Sequence, residues 1–178
     1  MTEPYQEKEF WQFSRASGKL LPARKPIVSE HAAALYVNDE PWLTFICSPT
    51  DLDALALGFL YGENVIKDLG EVSSIQVGDG GSRIMVKLSR TAEKPTHFHR
   101  TSTGYGLESS LRLPHLPTDF RITVEDVLAL YLQLTDQQEL HDQVCGFHSA
   151  GLSDGLRVPI MVEDLGRHNC VDKLTGLF

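Results

Sequence analysis

Apolar residues fall along the chain in short clusters divided by turn-forming residues, and at three places the spacing changes to that of a helix. From Pro26 onward, Ile27, Val28, Ala32, Ala34, Leu35, Tyr36 and Val37 predict a strand, and Asn38-Asp39-Glu40 supplies the turn after it. Trp42-Leu43-Thr44-Phe45-Ile46-Cys47 then predicts the second strand of a hairpin. Ser48-Pro49-Thr50 announces a helix. Thr50 with Asp53 has the spacing of a capping box, and Leu52, Leu55, Ala56, Phe59 and Leu60 form one apolar face. Gly58 inside that helix costs roughly 1 kcal/mol against alanine and predicts a close packing contact, expected against a strand. Val72 to Val77 and Ile84 to Leu88, joined by Gly78-Asp79-Gly80-Gly81, predict a second hairpin.

The pattern resumes after a loop-rich stretch from Ser89 to Phe120. Thr123 with Asp126 repeats the capping spacing and opens a helix bearing Val124, Val127, Leu128, Leu130, Tyr131 and Leu134, with Gln137 to Val144 either extending it or forming a short helix. His148 to Leu152 and Val158 to Val162 predict a third hairpin, in which Pro159 makes the second strand an edge or a late starter. Asn169 with Asp172 carries the same capping signature for a last helix, whose apolar face is Val171, Leu174, Leu177 and Phe178. The sequence stops on that face, which reads either as a fragment lacking its next strand or as a C-terminal helix docked on the sheet. The fold class is α/β (α+β). Three regions are expected: a polar arm over 1–25, a hairpin–helix subdomain with a basic loop over 26–121, and a further domain beginning at 122–178.

Composition narrows the function. The 178 residues carry a net charge of −8, with 42% hydrophobic residues. That is an ordinary globular composition, and its sign opposes general attraction to nucleic acid. No apolar run approaches the roughly 18 residues of a membrane span, and the polar, aromatic N-terminus is not a signal peptide. Cys47, Cys145 and Cys170 are odd in number and widely separated. They form no disulfide framework, so a reducing cytoplasmic compartment is expected.

Three clusters are candidates for chemistry. Glu163-Asp164-Leu165-Gly166-Arg167-His168-Asn169-Cys170-Val171-Asp172-Lys173 follows an apolar strand and runs into a helix. That position suits anions, because helix-start N–H groups are unpaired there, Arg167 offers a planar fork and His168 exchanges protons near neutrality. The competing reading is a solvated loop with local ion pairs. In Cys145-Gly146-Phe147-His148, the cysteine is a nucleophile with its base, half of a metal site that lacks a matching C-x-x-C, or a small packed residue. Thr103-Gly104-Tyr105-Gly106 lies between Arg83 and Arg121, where seven Lys/Arg face three Asp/Glu. It is either an anion-embracing loop or a solvated one. His31 is expected to be a packed or partly exposed strand residue, and His141 a surface one.

Val162-Glu163-Asp164-Leu165-Gly166-Arg167-His168-Asn169-Cys170-Val171-Asp172-Lys173 closely resembles the E-D-x-G-R-H-N-x-x-D-K signature of the formate dehydrogenase accessory sulfurtransferase family, FdhD. Glu30 with Val37-Asn38 is similar to its early strand. Ser48-Pro49-Thr50-Asp51-Leu52 with Leu55, Gly58-Phe59-Leu60 and Glu63 resembles its P-x-D-L-x-x-L-x-x-G-F-L-x-x-E helix, and Cys145 to Ala150 its G-G-x-H-x-A segment. The resemblance implies a cytidine-deaminase-like mixed sheet with flanking helices, plus a smaller N-terminal subdomain. It implies a homodimer that takes sulfur from a cysteine desulfurase and passes it to the molybdenum bis-guanine-dinucleotide cofactor of formate dehydrogenase. Binding of that cofactor or of guanine nucleotide would fall to Arg167, His168, Asn169, Asp172, Lys173 and His148.

Two departures qualify this. Thr103-Gly104-Tyr105-Gly106-Leu107 stands where the family carries a C-G-x-C-G loop, and a persulfide needs a thiolate. The family's later signature segments are also absent. Cys145 and Cys170 stand at places the family usually fills with Gly and Ala. They read either as substitute sulfur carriers, with Cys170 the better placed because a helix start beside Arg167 and His168 lowers a thiol pKa, or as small residues standing in for small ones. The alternative is a cofactor-binding chaperone without sulfur chemistry. A zinc deaminase is disfavoured by the lack of H-x-E and P-C-x-x-C.

Overall fold

The computed structural model describes residues 3–95 and 119–178. The chain opens with β1 (Tyr5–Ser14) and β2 (Lys19–Val28), paired antiparallel from Tyr5 opposite Val28 to Ser14 opposite Lys19. The stretch expected as a polar arm is therefore a two-stranded ribbon. The strands were hidden because apolar residues fall on both faces, Phe10 and Leu21 on one and Trp11, Phe13 and Leu20 on the other, which blurs a period-two pattern among mixed charges.

The main sheet combines β3 (His31–Val37), β4 (Glu40–Cys47), β5 (Val72–Gly78) and β6 (Arg83–Leu88) in the order β4-β3-β6-β5. The β3–β6 pair is parallel and the others antiparallel. The β3–β4 turn uses Asn38 and Asp39, both at positive φ (50° and 70°), the geometry of a tight hairpin that Asn and Asp tolerate. Asn38 also accepts from Leu88 N at 2.8 Å and donates to Arg90 O at 3.0 Å, tying the turn to the end of β6. Helix α1 (Leu52–Gly62) covers one face of this sheet. Ala33, Leu35, Val37, Ile84 and Val86 alternate into the core and meet Leu55, Phe59 and Leu60 from the helix. Phe45 and Phe59 pack edge to face with centroids 5.3 Å apart.

The second half holds α2 (Val124–Thr135), α3 (Glu139–Gln143), the antiparallel pair β7 (His148–Leu152) and β8 (Ile160–Asp164), and α4 (Arg167–Leu177). The fold is thus mixed α+β, with a mixed sheet and flanking helices. Thr123 and Asp126 form the full reciprocal capping box, and β8 begins just after Pro159 as expected.

The halves are joined by α1 lying against α4. A Cβ on Gly58 would stand 1.8 Å from Asp172 O, and one on Gly176 would stand 2.0 Å from Ala54 O. Gly58 is therefore required by close approach of a helix, not of a strand. Two expected caps do not form. The N-cap of α1 is Asp51, at φ 47° with no side-chain cap bond, and that of α4 is Gly166. The buried side of α4 is also not the apolar one: Cys170, Asp172 and Lys173 face inward, while Val171, Leu177 and Phe178 are exposed.

Candidate functional site

The β8–α4 turn is built around one carboxylate. Asp164 is the last residue of β8 and has no exposed surface. Its Oδ2 accepts from Lys173 Nζ at 2.7 Å and from Ser48 N at 2.9 Å. Its Oδ1 accepts from Gly166 N at 2.7 Å and from Asn169 Nδ2 at 2.8 Å. Lys173, one and a half turns into α4, is likewise fully buried. Its remaining donors reach Thr50 Oγ1 at 2.9 Å and Ser48 O at 3.3 Å, so all three N–H groups are used. Asn169 Nδ2 also donates to Ile46 O at 2.8 Å, and Leu165 N donates to Ser48 Oγ at 3.0 Å. A buried ion pair is tolerated only with this degree of hydrogen bonding.

The network explains several residue choices. Thr50 Oγ1 accepts from Lys173, and α1 starts one residue later than its spacing suggests, with Asp51 as N-cap. Asn169 lies inside the first turn of α4, and its amide donates back to Asp164 and Ile46. Gly166 is demanded by proximity, because a Cβ there would lie 2.8 Å from Asn169 Nδ2. Glu163, also buried, accepts from Leu140 N and His141 N, both at 2.8 Å, and so holds the first turn of α3. His141 is half-buried rather than on the surface, with Nδ1 3.2 Å from Phe147 O. His31 is buried, as a packed strand residue.

The residues expected to hold a ligand therefore divide into two groups. Asn169, Asp172 and Lys173 lie at or below the surface, and two of them knit the turn to the β4–α1 connection. Arg167 is exposed and His168 half-buried, in the first turn of α4. Neither makes a hydrogen bond or ion pair with another described residue. Among the described residues no side chain caps that turn, and a helix start leaves its leading N–H groups without intrahelical acceptors. His148, also exposed, is the cross-strand partner of Asp164 and thus belongs to the same strand end. Ser48 and Thr50 are the contributors the motif reading missed. Their only signal was the polar run after β4, which also spells a helix start.

Cys170 behaves opposite to expectation. Cys170 is 1% exposed, and its thiol donates toward His148 O at 3.2 Å. Burial pushes its pKa up to about 12, the Asp164 carboxylate adds to the rise, and Lys173 offsets only part of it. The sulfur faces inward, against His148 O and Asp164 O. Cys47 is pushed up to about 12 by the same causes in the same order. Cys145 is the exposed thiol of the three. The Thr103–Leu107 loop lies outside the described residues.

Among the described residues, no helix is long and apolar enough to cross a membrane. The sequence model of the FdhD/NarQ family matches residues 28–178. "Sulfur carrier protein FdhD" of Staphylococcus aureus (strain MRSA252) is 27% identical over 175 residues, covering 89% of this chain and 64% of the relative. The protein of the same name from Shouchella clausii (strain KSM-K16) is 27% identical over 183 residues, covering 95% and 67%. A crystal structure from Desulfotalea psychrophila, described as a formate dehydrogenase accessory protein, superposes with a TM-score of 0.75 at 25% identity, covering 97% of this chain and 68% of that one. The chain thus spans about two thirds of the length of these relatives. With the family match running through the hairpins, α1 and the entire β8–α4 signature, this chain belongs to the FdhD/NarQ family.

Proposed function

We propose that this chain serves the maturation of formate dehydrogenase by holding the guanine-nucleotide end of the molybdenum bis-guanine-dinucleotide cofactor at the β8–α4 turn. The cofactor is the cargo of this reading rather than a resident group. The carrying observation is that Arg167 stands exposed, without a partner among the described residues, in the first turn of α4, which has no side-chain cap. A guanidinium and the free N–H groups of a helix start match a diphosphate in charge and in donor type. His168 adds a further donor from the same turn, and His148 one from the neighbouring strand. Asp164, Asn169 and Lys173 act beneath them as the clamp that fixes the turn, a preorganisation that spares the ligand the cost of ordering it. The action is cytoplasmic, in a homodimer, with formate dehydrogenase as client.

The names of the relatives support a sulfur-carrying role; the donor in this reading is a cysteine desulfurase. Within this chain, Cys145 is the thiol open to a donor, whereas Cys170 and Cys47 are buried and held protonated. A thiol pushed to about 12 supplies almost no thiolate at neutral pH, so it accepts sulfane sulfur poorly. A second reading, a cargo-binding chaperone without sulfur transfer, is favoured by those two buried thiols. Incubation with a cysteine desulfurase and cysteine separates the two. Cyanide-releasable sulfur that disappears in Cys145→Ser supports carriage, and none on any cysteine supports the chaperone. The binding claim common to both is tested with guanosine diphosphate. Arg167→Ala is expected to weaken binding by about tenfold or more, the worth of a charge-assisted contact, and unchanged affinity would refute it.

A further inference from the structure

Prolines set the two long edges of the β1–β2 ribbon apart. Its register pairs Trp11 with Pro22 and Glu7 with Pro26. A proline has no N–H to give to a ladder, so these are pairs whose backbone groups face away from the partner strand. The bond from Ser29 N to Pro4 O at 2.9 Å, one pair beyond Tyr5–Val28, fixes the same alternation. On β2, Pro22 and Pro26 therefore remove donors from the outer edge and blunt it against further pairing. β1 holds no proline. Tyr5, Glu7, Glu9, Trp11 and Phe13 turn their N–H and C=O groups outward, and no described residue outside the ribbon bonds them. Gln6 to Phe13 are all exposed. A two-stranded ribbon alone is marginal in water, and an unblunted edge of this length is a template for a third strand.

The side chains say which strand fits. Cross-strand partners share a face, so Lys8, Lys25 and Lys19 lie together on one side of the ribbon with no carboxylate among them. Lys8 and Lys25 stand directly opposite each other, an arrangement that is destabilising by itself. The other side carries Glu7 and Glu9 toward the root, with Glu7 paired to Arg24 at 3.5 Å, and the exposed Trp11, Phe13 and Leu20 toward the tip. The root is held by Val28, whose Cγ2 would lie 2.7 Å from a Cβ on Gly146. Ten extended residues carry the tip roughly 30 Å from it, several times the screening length of about 8 Å at physiological salt. The lysine face therefore responds to its own charges more than to the chain's net −8.

The same charges argue against other occupants. Antiparallel pairing of β1 with its own copy keeps the same face upward, which gathers the three lysines of both copies on one side with no carboxylate. Three lysines on one face of an acidic chain are also few for a nucleic-acid backbone.

We propose that the open edge of β1 takes up an extended segment of a partner protein as a third strand, with carboxylates on the lysine face and apolar side chains on the Trp11–Phe13 face. This is independent of the reading of the β8–α4 turn, so either stands if the other fails.

The probe is a fluorescein-labelled peptide of alternating glutamate and valine, about the length of β1, titrated with the full chain and read by anisotropy. It is expected to bind the native chain at least about tenfold more tightly than the alternating lysine–valine peptide does. Glu9→Pro removes one outward donor and no bond of the β1–β2 ladder. It weakens binding by about tenfold at an unchanged urea midpoint, and because it also removes a carboxylate, the loss does not come from charge. Lys8→Glu reverses the preference between the two peptides. Hydrogen exchange adds a readout that needs no substitution: the acidic peptide protects the amides of Tyr5, Glu7, Glu9, Trp11 and Phe13. No binding of the acidic peptide, equal binding of both peptides, full affinity in Glu9→Pro, protection confined to other elements, tighter binding of a single-stranded oligonucleotide than of the peptide, or a native dimer that Glu9→Pro dissolves would each overturn the proposal.

Discussion

At the scale of single residues, Asp164 and Lys173 bear most of the consequence. Both are fully buried, so replacing Lys173 with methionine leaves an unpaired buried carboxylate. The expected loss is roughly 3–5 kcal/mol of stability, read as a lower urea midpoint, and a loss below about 1 kcal/mol would show that the pair contributes little. The thiols give a pH signature. Cys47 and Cys170 are raised from about 9 to about 12 in the folded chain. Between those values the unfolded chain has lost protons that the folded chain keeps, so stability falls as pH rises. The contribution is fully present below pH 9 and lost progressively toward 12. The urea midpoint of the native chain is expected to drop more steeply over this window than that of a Cys47→Ala, Cys170→Ala double variant, and parallel slopes would contradict the assignment. At pH 8 the folded chain should be alkylated at Cys145 alone, with Cys47 and Cys170 reacting only after denaturation.

At the scale of elements, the α1–α4 seam depends on two glycines. Alanine gains about 1 kcal/mol in helix propensity over glycine, yet here it meets carbonyl oxygens at 1.8 and 2.0 Å. Those are backbone atoms, so the helices must separate and carry the Asp164 clamp with them. Gly58→Ala and Gly176→Ala are each expected to destabilise by about 1–3 kcal/mol net, and a neutral or stabilising result in chemical denaturation would mean the seam opens freely. Legibility in the sequence follows the range of the interactions. The Asn38-Asp39 turn, both main-sheet hairpins and the Thr123–Asp126 box were legible because their signals lie within a few residues. The inward face of α4 was not. Asp172 and Lys173 look like solvent positions until Ser48 and Thr50, more than a hundred residues earlier, are brought alongside. The same distance hid the true work of Thr50 and Asn169, whose local spacing imitates helix caps. The β1–β2 ribbon was hidden for another reason, since its apolar residues are spread over both faces and so blur the period-two signal.

At the scale of the whole molecule, the family signature divides by depth. Its acidic and amide members, Glu163, Asp164 and Asn169, with Lys173, fasten three elements of the chain together. Arg167 and His168 are left facing outward on the platform so formed. The motif's place between the end of a strand and the start of a helix was legible. The division between inward and outward residues required the fold, because a run of consecutive charged letters does not say which ones turn inward. The most direct test of this account is titration of guanosine diphosphate into the native chain, Arg167→Ala and Lys173→Met, with the urea midpoint measured on the same samples. The account predicts that Arg167→Ala loses affinity by about tenfold or more at an unchanged midpoint, while Lys173→Met lowers the midpoint. Full nucleotide affinity in Arg167→Ala, or a collapse of its midpoint to match that of Lys173→Met, would contradict it.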